Sequence, residues 1–293
     1  LIDYARGKIM KDYTALIVDL EKSRSYTPEV RNSIQNYILS VMRALNELYE
    51  NSLAKEVEFS AGDEVQGLFF SPESAYLYLR MLSMLVFPVK VRAGIGIGEW
   101  NIKIENESTT AQDGPAYYNA RYAINNAKDT SGYPVLIYSG KAEDLFLNAV
   151  INASIVLTTN HSEYQNELML LSELLYPVDY GQAFDFNKIG NIFKLVKSKN
   201  KSDYYRYYKN NTRKNPFDKI KVMDFESDPI DAENDDSNFY VSSGKIRGMS
   251  TKLSEILNIS RQSVEKTIKT ANIYEVRNLA IAALKYMDRY FIG

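Results

Sequence analysis

The sequence has no cysteine in 293 residues, which removes disulfides, thiolate metal ligands and cysteine nucleophiles from any account of its chemistry. That absence suits a reducing cytosol, so a cytoplasmic location is expected. There is one histidine, His161, so a multi-histidine metal site is excluded within one chain. His161 lies in a polar stretch and reads as a loop or helix-end residue. No run reaches ~18 apolar residues, so no transmembrane helix and no membrane partner are expected. The start carries no signal-peptide pattern. What remains for chemistry is carboxylates, lysine and arginine, hydroxyls, backbone groups and a bound cation.

Tyrosine is abundant, at 23 residues, and the apolar fraction of 45% suits a packed core. The net charge of −2 hides an asymmetry: residues 187–293 carry 20 Lys and Arg against 13 Asp and Glu, while 1–186 carry 15 against 24. An acidic front and a basic rear suggest different partners for each.

Residues 1–9 read as an upstream extension before Met10. Tyr13 to Leu20 reads as a buried strand with Asp19 near its C-terminal end, followed by a polar loop through residues 21–24. A helical stripe runs from Pro28 to about Glu50, with Thr27 as N-cap. Gly62-Asp63 between apolar runs signals a two-residue β-hairpin whose tip carries adjacent carboxylates, Asp63 and Glu64. Neighbouring strand residues point to opposite faces, so at most one of the two easily serves a given site. An exposed hairpin tip is also polar for solubility alone. A second helix is expected over Pro72–Val86, capped by Ser71. Val89–Trp100 alternates as a strand, with Gly94, Gly96 and Gly98 on one bare face that permits close approach by a backbone or a ligand. Its Gly-x-Gly-x-Gly spacing is not the dinucleotide fingerprint. Ile102–Ile104 suits a short strand. Asp113-Gly114-Pro115 opens a helix to about Lys128, and Val135–Tyr138 closes the series. The order β-α-β-β-α-β suits a ferredoxin-like α+β arrangement with an antiparallel sheet.

The segments Ala15–Asp19, Gly62–Phe69, Arg92–Glu99 and Asp113–Tyr118 together resemble the bacterial SatD family over roughly residues 10–140. Their order is also similar to the class III nucleotide cyclase and GGDEF-type palm domains. That second resemblance implies Asp19, Asp63 and Glu64 as ligands of Mg²⁺ or Mn²⁺, and Gly62, Asp113, Gly114 and Arg121 as contacts for a nucleotide or phosphate ligand. Hard oxygen donors suit such a cation. The chain has Tyr117 where cyclases carry an asparagine four residues before the arginine. It has Phe59 in place of a base-reading lysine, and Ala61 where GGDEF proteins have a second glycine. Turnover as a cyclase or nucleotidyltransferase therefore stands as an alternative to ligand binding alone, and a non-catalytic interaction module as a third.

Residues 141–186 read as a helical connector. Residues 187–293 read as a basic, all-α region with an acidic linker or surface loop over 224–237. Within it, 251–270 resembles a helix-turn-helix. Leu253, Ile256 and Leu257 form one face, Asn258-Ile259 the turn, and Ser260 caps a second helix with Val264 and Ile268 inward. Arg261, Gln262, Ser263, Lys266 and Lys269 are then outward and suited to DNA; a helical hairpin for protein contact is the other reading. Residues 189–209 interleave basic residues and tyrosines, which suits either nucleic-acid contact or ordinary packing. An amphipathic helix over 272–290 suits a homodimer.

Overall fold

The apolar run Tyr13–Leu20 becomes β1, the central strand of a five-stranded sheet. The structure is a computed structural model that describes residues 12–21, 26–130, 132–199, 220, 226–234 and 239–291. The expectations for residues 1–9, for positions 22–24 of the polar loop, for the tyrosine-rich 200–209 and for 224, 225 and 235–237 of the acidic stretch lie outside that set. After β1 come α1 (Pro28–Leu48), β2 (Leu53–Ala61), β3 (Glu64–Phe69), α2 (Pro72–Val86), β4 (Val91–Gly98), α3 (Pro115–Asp129) and β5 (Val135–Tyr138). The caps act as expected: Thr27 and Ser71 accept the amides of Val30 and Ser74. Strand order is β2-β3-β1-β4-β5. All neighbours are antiparallel except β4 and β5, which are parallel. The sheet is therefore mixed rather than antiparallel throughout, because α3 carries the chain back to β4's starting end before β5 begins. Ile102 makes only an isolated bridge to Asp113.

The two faces of β1 meet different layers. Leu16, Val18 and Leu20 enter the main core with α1 and α2, whereas Ala15 and Ile17 join Leu68 beneath Ala116, Tyr117, Ala120 and Ile124 of α3. The bare glycine face is filled by backbone. A Cβ on Gly96 would lie 2.0 Å from the Ala120 amide nitrogen and 2.3 Å from the Ala116 carbonyl oxygen. No side chain fits between β4 and α3 there.

The rest of the chain wraps this layer with α4 (Asp144–Thr158), α5 (Glu163–Leu175), β6 (Val178–Asp179), α6 (Ile189–Lys199), β7 (Ile230–Asp231), α7 (Met249–Leu257), α8 (Arg261–Thr270) and α9 (Ile273–Phe291). The rear region is not purely helical, because β7 pairs in parallel with β6. The described part of the acidic stretch is pinned there: the amides of Asp228, Ile230 and Ala232 donate to the carbonyls of Leu175, Pro177 and Asp179. One buried apolar cluster runs from β1 to Phe291. Across it, the Glu173 carboxylate of α5 lies 2.9 Å from Arg80 of α2 and 3.1 Å from Arg277 of α9. The apolar face of α9 (Ile273, Val276, Ala280, Leu284, Met287) is buried within the chain.

Candidate functional site

Antiparallel pairing sets Asp19 opposite Glu64 of β3 on one side and Arg92 of β4 on the other. Asp19 shares the parity of Ile17, and Glu64 that of Leu68, so both strand positions face the α3 layer. Gly62 and Asp63 form the two-residue turn between β2 and β3. Gly62 has φ +64°, which favours glycine, and its carbonyl accepts the Gln35 amide at 2.8 Å. The adjacency argument gives way here: Asp63 sits in the turn rather than on the strand, so it and Glu64 both act on Asp19 electrostatically.

Cations converge on this corner. Arg121 donates in a fork to the two Glu64 oxygens at 2.6 and 2.7 Å. Lys128, two turns further along α3, lies 3.5 Å from Asp19 and 4.0 Å from Glu64. Arg31 of α1 stands 3.9 Å from Asp63, and Arg92 stands 3.4 Å from Glu21. Burial pushes the Asp19 carboxyl above its ordinary range; Lys128 opposes, and the Asp63 and Glu64 carboxylates add to the push. For Glu64 burial acts in the same direction, but the Arg121 fork, Ser60 and Lys128 outweigh it and hold the group below its ordinary value.

The donor chemistry fits a hard cation only in part. Asp19 and Asp63 are carboxylates at a crowded, partly desolvated corner where a cation would relieve the crowding. Glu64 is committed to Arg121. Among the described residues no group of three or more His, Asp or Glu side chains is gathered as a metal site.

Asp113 and Gly114 are not brought to the corner. They open α3, whereas Arg121 and Lys128 lie ~10 and ~21 Å along it. Asp113 accepts the Gly114 amide at 2.8 Å and the Tyr118 hydroxyl at 2.7 Å, which fixes the helix start. A Cβ on Gly114, at φ +150°, would lie 2.7 Å from the Glu99 carbonyl oxygen. Lys128, Arg31 and Arg92 were missed from the sequence. The signal for Lys128 was its spacing of seven from Arg121, the same helix face two turns on.

The second candidate surface is α7–α8. Asn258 ends α7 in the left-handed region, and Ser260 caps α8 by accepting the Ser263 amide at 3.2 Å. Val264 and Ile268 are buried, while Arg261, Gln262, Ser263, Lys266 and Lys269 are exposed. Glu265 stands in the same exposed row and accepts Arg261 Nε at 2.7 Å. The far end of α8 is docked, with His161 Nε2 2.8 Å from the Ala271 carbonyl oxygen. His161 is thus the loop residue expected, lying between α4 and α5.

The chain matches the model of the SatD family over residues 13–211. No curated protein matches it. No described helix is long and apolar enough to cross a membrane.

Proposed function

The chain belongs to the SatD family, and from that premise we propose that it is a cytoplasmic regulator in which a cation-dependent phosphate-ligand site is coupled to a nucleic-acid-binding helix pair. The β1–β5 layer with its helices is read as a ferredoxin-like, cyclase-like palm. The observation that carries the reading is the corner where Asp19 faces Glu64 across the ladder, with Asp63 in the adjoining turn and Arg121 and Lys128 overhead. Mg²⁺ or Mn²⁺ would be held by Asp19 and Asp63. When bound, it would neutralise the crowded carboxylates and offer coordination to phosphate oxygens. Lys128 and Arg31 supply point charges for the same phosphates. Glu64 keeps the Arg121 fork aimed and half-neutralised until an anion competes for it. A nucleotide is the ligand class that the resemblance to cyclase and GGDEF palms favours.

In the rear, α8 is read as a recognition helix. Arg261, Gln262 and Ser263 lie in its first turn, where base edges would be met, and Lys266 and Lys269 lie further along, where phosphates would be met.

The test is calorimetric titration of the full chain with a nucleotide panel, with and without Mg²⁺. Asp19→Asn combined with Asp63→Asn should abolish the metal-dependent part of binding while the circular dichroism spectrum is kept. Equal isotherms for both proteins overturn the ligand site. Product formed by the wild type and lost in the double variant selects the transferase alternative. In the same preparation, fluorescence anisotropy on duplexes selected from a random pool tests α8. Arg261→Ala should relax sequence preference, and Lys266→Ala should weaken every duplex and lower the salt slope by about one unit. No binding to any duplex at low salt overturns the rear half of the proposal.

A further inference from the structure

α4 is a surface helix of 15 residues whose only charged side chain is Asp144, at its first position. One side of it packs on the molecule: Leu147 and Ile151 enter the core, and Asn148 and Asn152 hydrogen-bond the backbone of β5. The opposite side is apolar and exposed. Leu145 is 82% exposed, Val156 62% and Phe146 55%, with Ala149 and Ala153 exposed between them. Leu145, Ala149, Ala153 and Val156 recur at spacings of four, four and three, a single helix stripe. A contiguous apolar stripe of this kind on a folded protein marks a contact surface.

We propose that this face of α4 is the interface between two copies of the chain, packed antiparallel about a two-fold axis. The order large-small-small-large reads the same in both directions. In an antiparallel pair Leu145 therefore comes opposite Val156 of the second copy while Ala149 comes opposite Ala153, the two pairings centring within one residue of each other at Val150–Ile151. That is the self-complementarity a two-fold interface requires. The alanines at the crossing let the axes approach to about 8 Å, the short end of helix packing.

The stripe offers no charge by which an unlike partner could be selected. α4 itself carries no lysine or arginine, which a lipid-bound helix would have on its polar face; the neighbouring Lys141 lies over the Phe291 ring and donates to the Tyr290 carbonyl. The stripe is flanked by further apolar surface. The Phe146 ring packs tilted against Tyr286 at 4.8 Å, and Tyr286 against Tyr290 at 4.5 Å. The exposed stripe of a helix ~22 Å long, together with this aromatic shelf, is the apolar surface that the pair would bury. The interface differs from the one suggested by the amphipathic C-terminal helix, whose apolar face is buried within its own chain.

The experiment is sedimentation equilibrium on the full chain from about 1 to about 200 μM, a range in which a moderate dimer dissociates. The wild type should show a monomer–dimer equilibrium. Ala153→Glu should raise the dimer Kd by about 100-fold or more, because the two-fold axis buries two unpaired carboxylates. Its circular dichroism spectrum and its melting temperature at the lowest concentration should match the wild type, since Ala153 is exposed in the monomer. Register is read separately, because a chain without cysteine accepts a single reporter thiol. Ala149→Cys mixed with Ala153→Cys should form a covalent dimer on mild oxidation, and either variant alone should form little. A wild type that stays monomeric at the highest concentration overturns the proposal. So does a dimer indifferent to Ala153→Glu, and so does Ala149→Cys linking to itself as readily as to Ala153→Cys.

Discussion

Glu73 sits in the first turn of α2, 2% exposed, and its Oε1 has no hydrogen-bond partner. Burial pushes its carboxyl up to about 7 from an ordinary 4.5; the local amide and Ser71 pull the other way, and Asp288 of α9 adds to the push. Glu64, also desolvated, moves in the opposite direction because Arg121 grips both oxygens. The same residue type is thus set by whether its burial is accompanied by a cation. The consequence for Glu73 has a definite sign. Below pH 4.5 it is protonated in both folded and unfolded chains and contributes nothing to the pH dependence. As pH rises from 4.5 through 7 the unfolded chain ionises and the folded one resists, so stability falls across that window. Glu73→Gln removes the effect. The variant should melt with the wild type near pH 4.5 and exceed it above pH 7 by up to about 3 kcal/mol, roughly 2.5 units at 1.36 kcal/mol each. Thermal melts across that range check it. A constant difference at all pH values would show that Glu73 is not the titrating group.

At the scale of elements, the sheet's β5 edge is closed by side chains rather than by another strand. Asn148 accepts the Ile137 amide at 2.7 Å and donates to the Ile137 carbonyl at 2.9 Å; Asn152, one turn on, does the same for Val135 at 3.4 and 2.7 Å. Two carboxamides at i and i+4 of α4 stand in for a neighbouring ladder, which blunts an edge otherwise open to pairing. Asn152→Ala leaves the amide and carbonyl of Val135, a residue 4% exposed, without partners. It should cost about 2–6 kcal/mol, measured by urea denaturation, from two unsatisfied groups at ~1–3 kcal/mol each. Asn152→Asp, which keeps an acceptor and loses the donor, should fall between the two.

This device was not legible in the sequence, because an asparagine on a helix reads as neutral until the strand beside it is known. The elements themselves were legible where local chemistry decides them. The Thr27-Pro28 and Ser71-Pro72 starts, the Gly62-Asp63 turn and the Asn258–Ser260 turn all lie where expected. The glycine face of β4 was visible as a close-approach surface, but only the register with α3 shows that backbone fills it. For the same reason it was the resemblance to cyclase palms, not the residue pattern, that implied a shared site for Asp19 and Glu64, and the clamping of Glu64 by Arg121 depends on where α3 crosses the sheet.

For the whole molecule, the question is whether the sheet layer and the rear helices unfold together. A boundary near residue 140 was the sequence expectation. Arg277 is fully buried on α9, 3.1 Å from Glu173 of α5, which also accepts from Arg80 of α2 at 2.9 Å; Arg277 further donates to the Gly244 carbonyl at 3.1 Å. One carboxylate thus compensates two buried cations held on elements before and after that boundary. Burial pushes Glu173 up, but Arg277 and Arg80 outweigh it and keep the group ionised below its ordinary range. Glu173→Gln leaves two guanidinium groups in the core with no countercharge, a loss of about 3–5 kcal/mol for a broken buried pair. Against a typical stability of 5–15 kcal/mol that is a large fraction. Two probes weight the two regions differently. Trp100, the only tryptophan, packs on Tyr13 of β1 at 5.3 Å and reports the sheet, while far-UV circular dichroism is dominated by the helices. The wild type should give coincident denaturation curves by both probes, and Glu173→Gln should move both midpoints together by the same amount. A variant that loses part of its dichroism at lower denaturant while the rest of it and the Trp100 signal keep their midpoint would show that the triad couples only the rear helices, and that the sheet layer with α1, α2 and α3 keeps its fold without them.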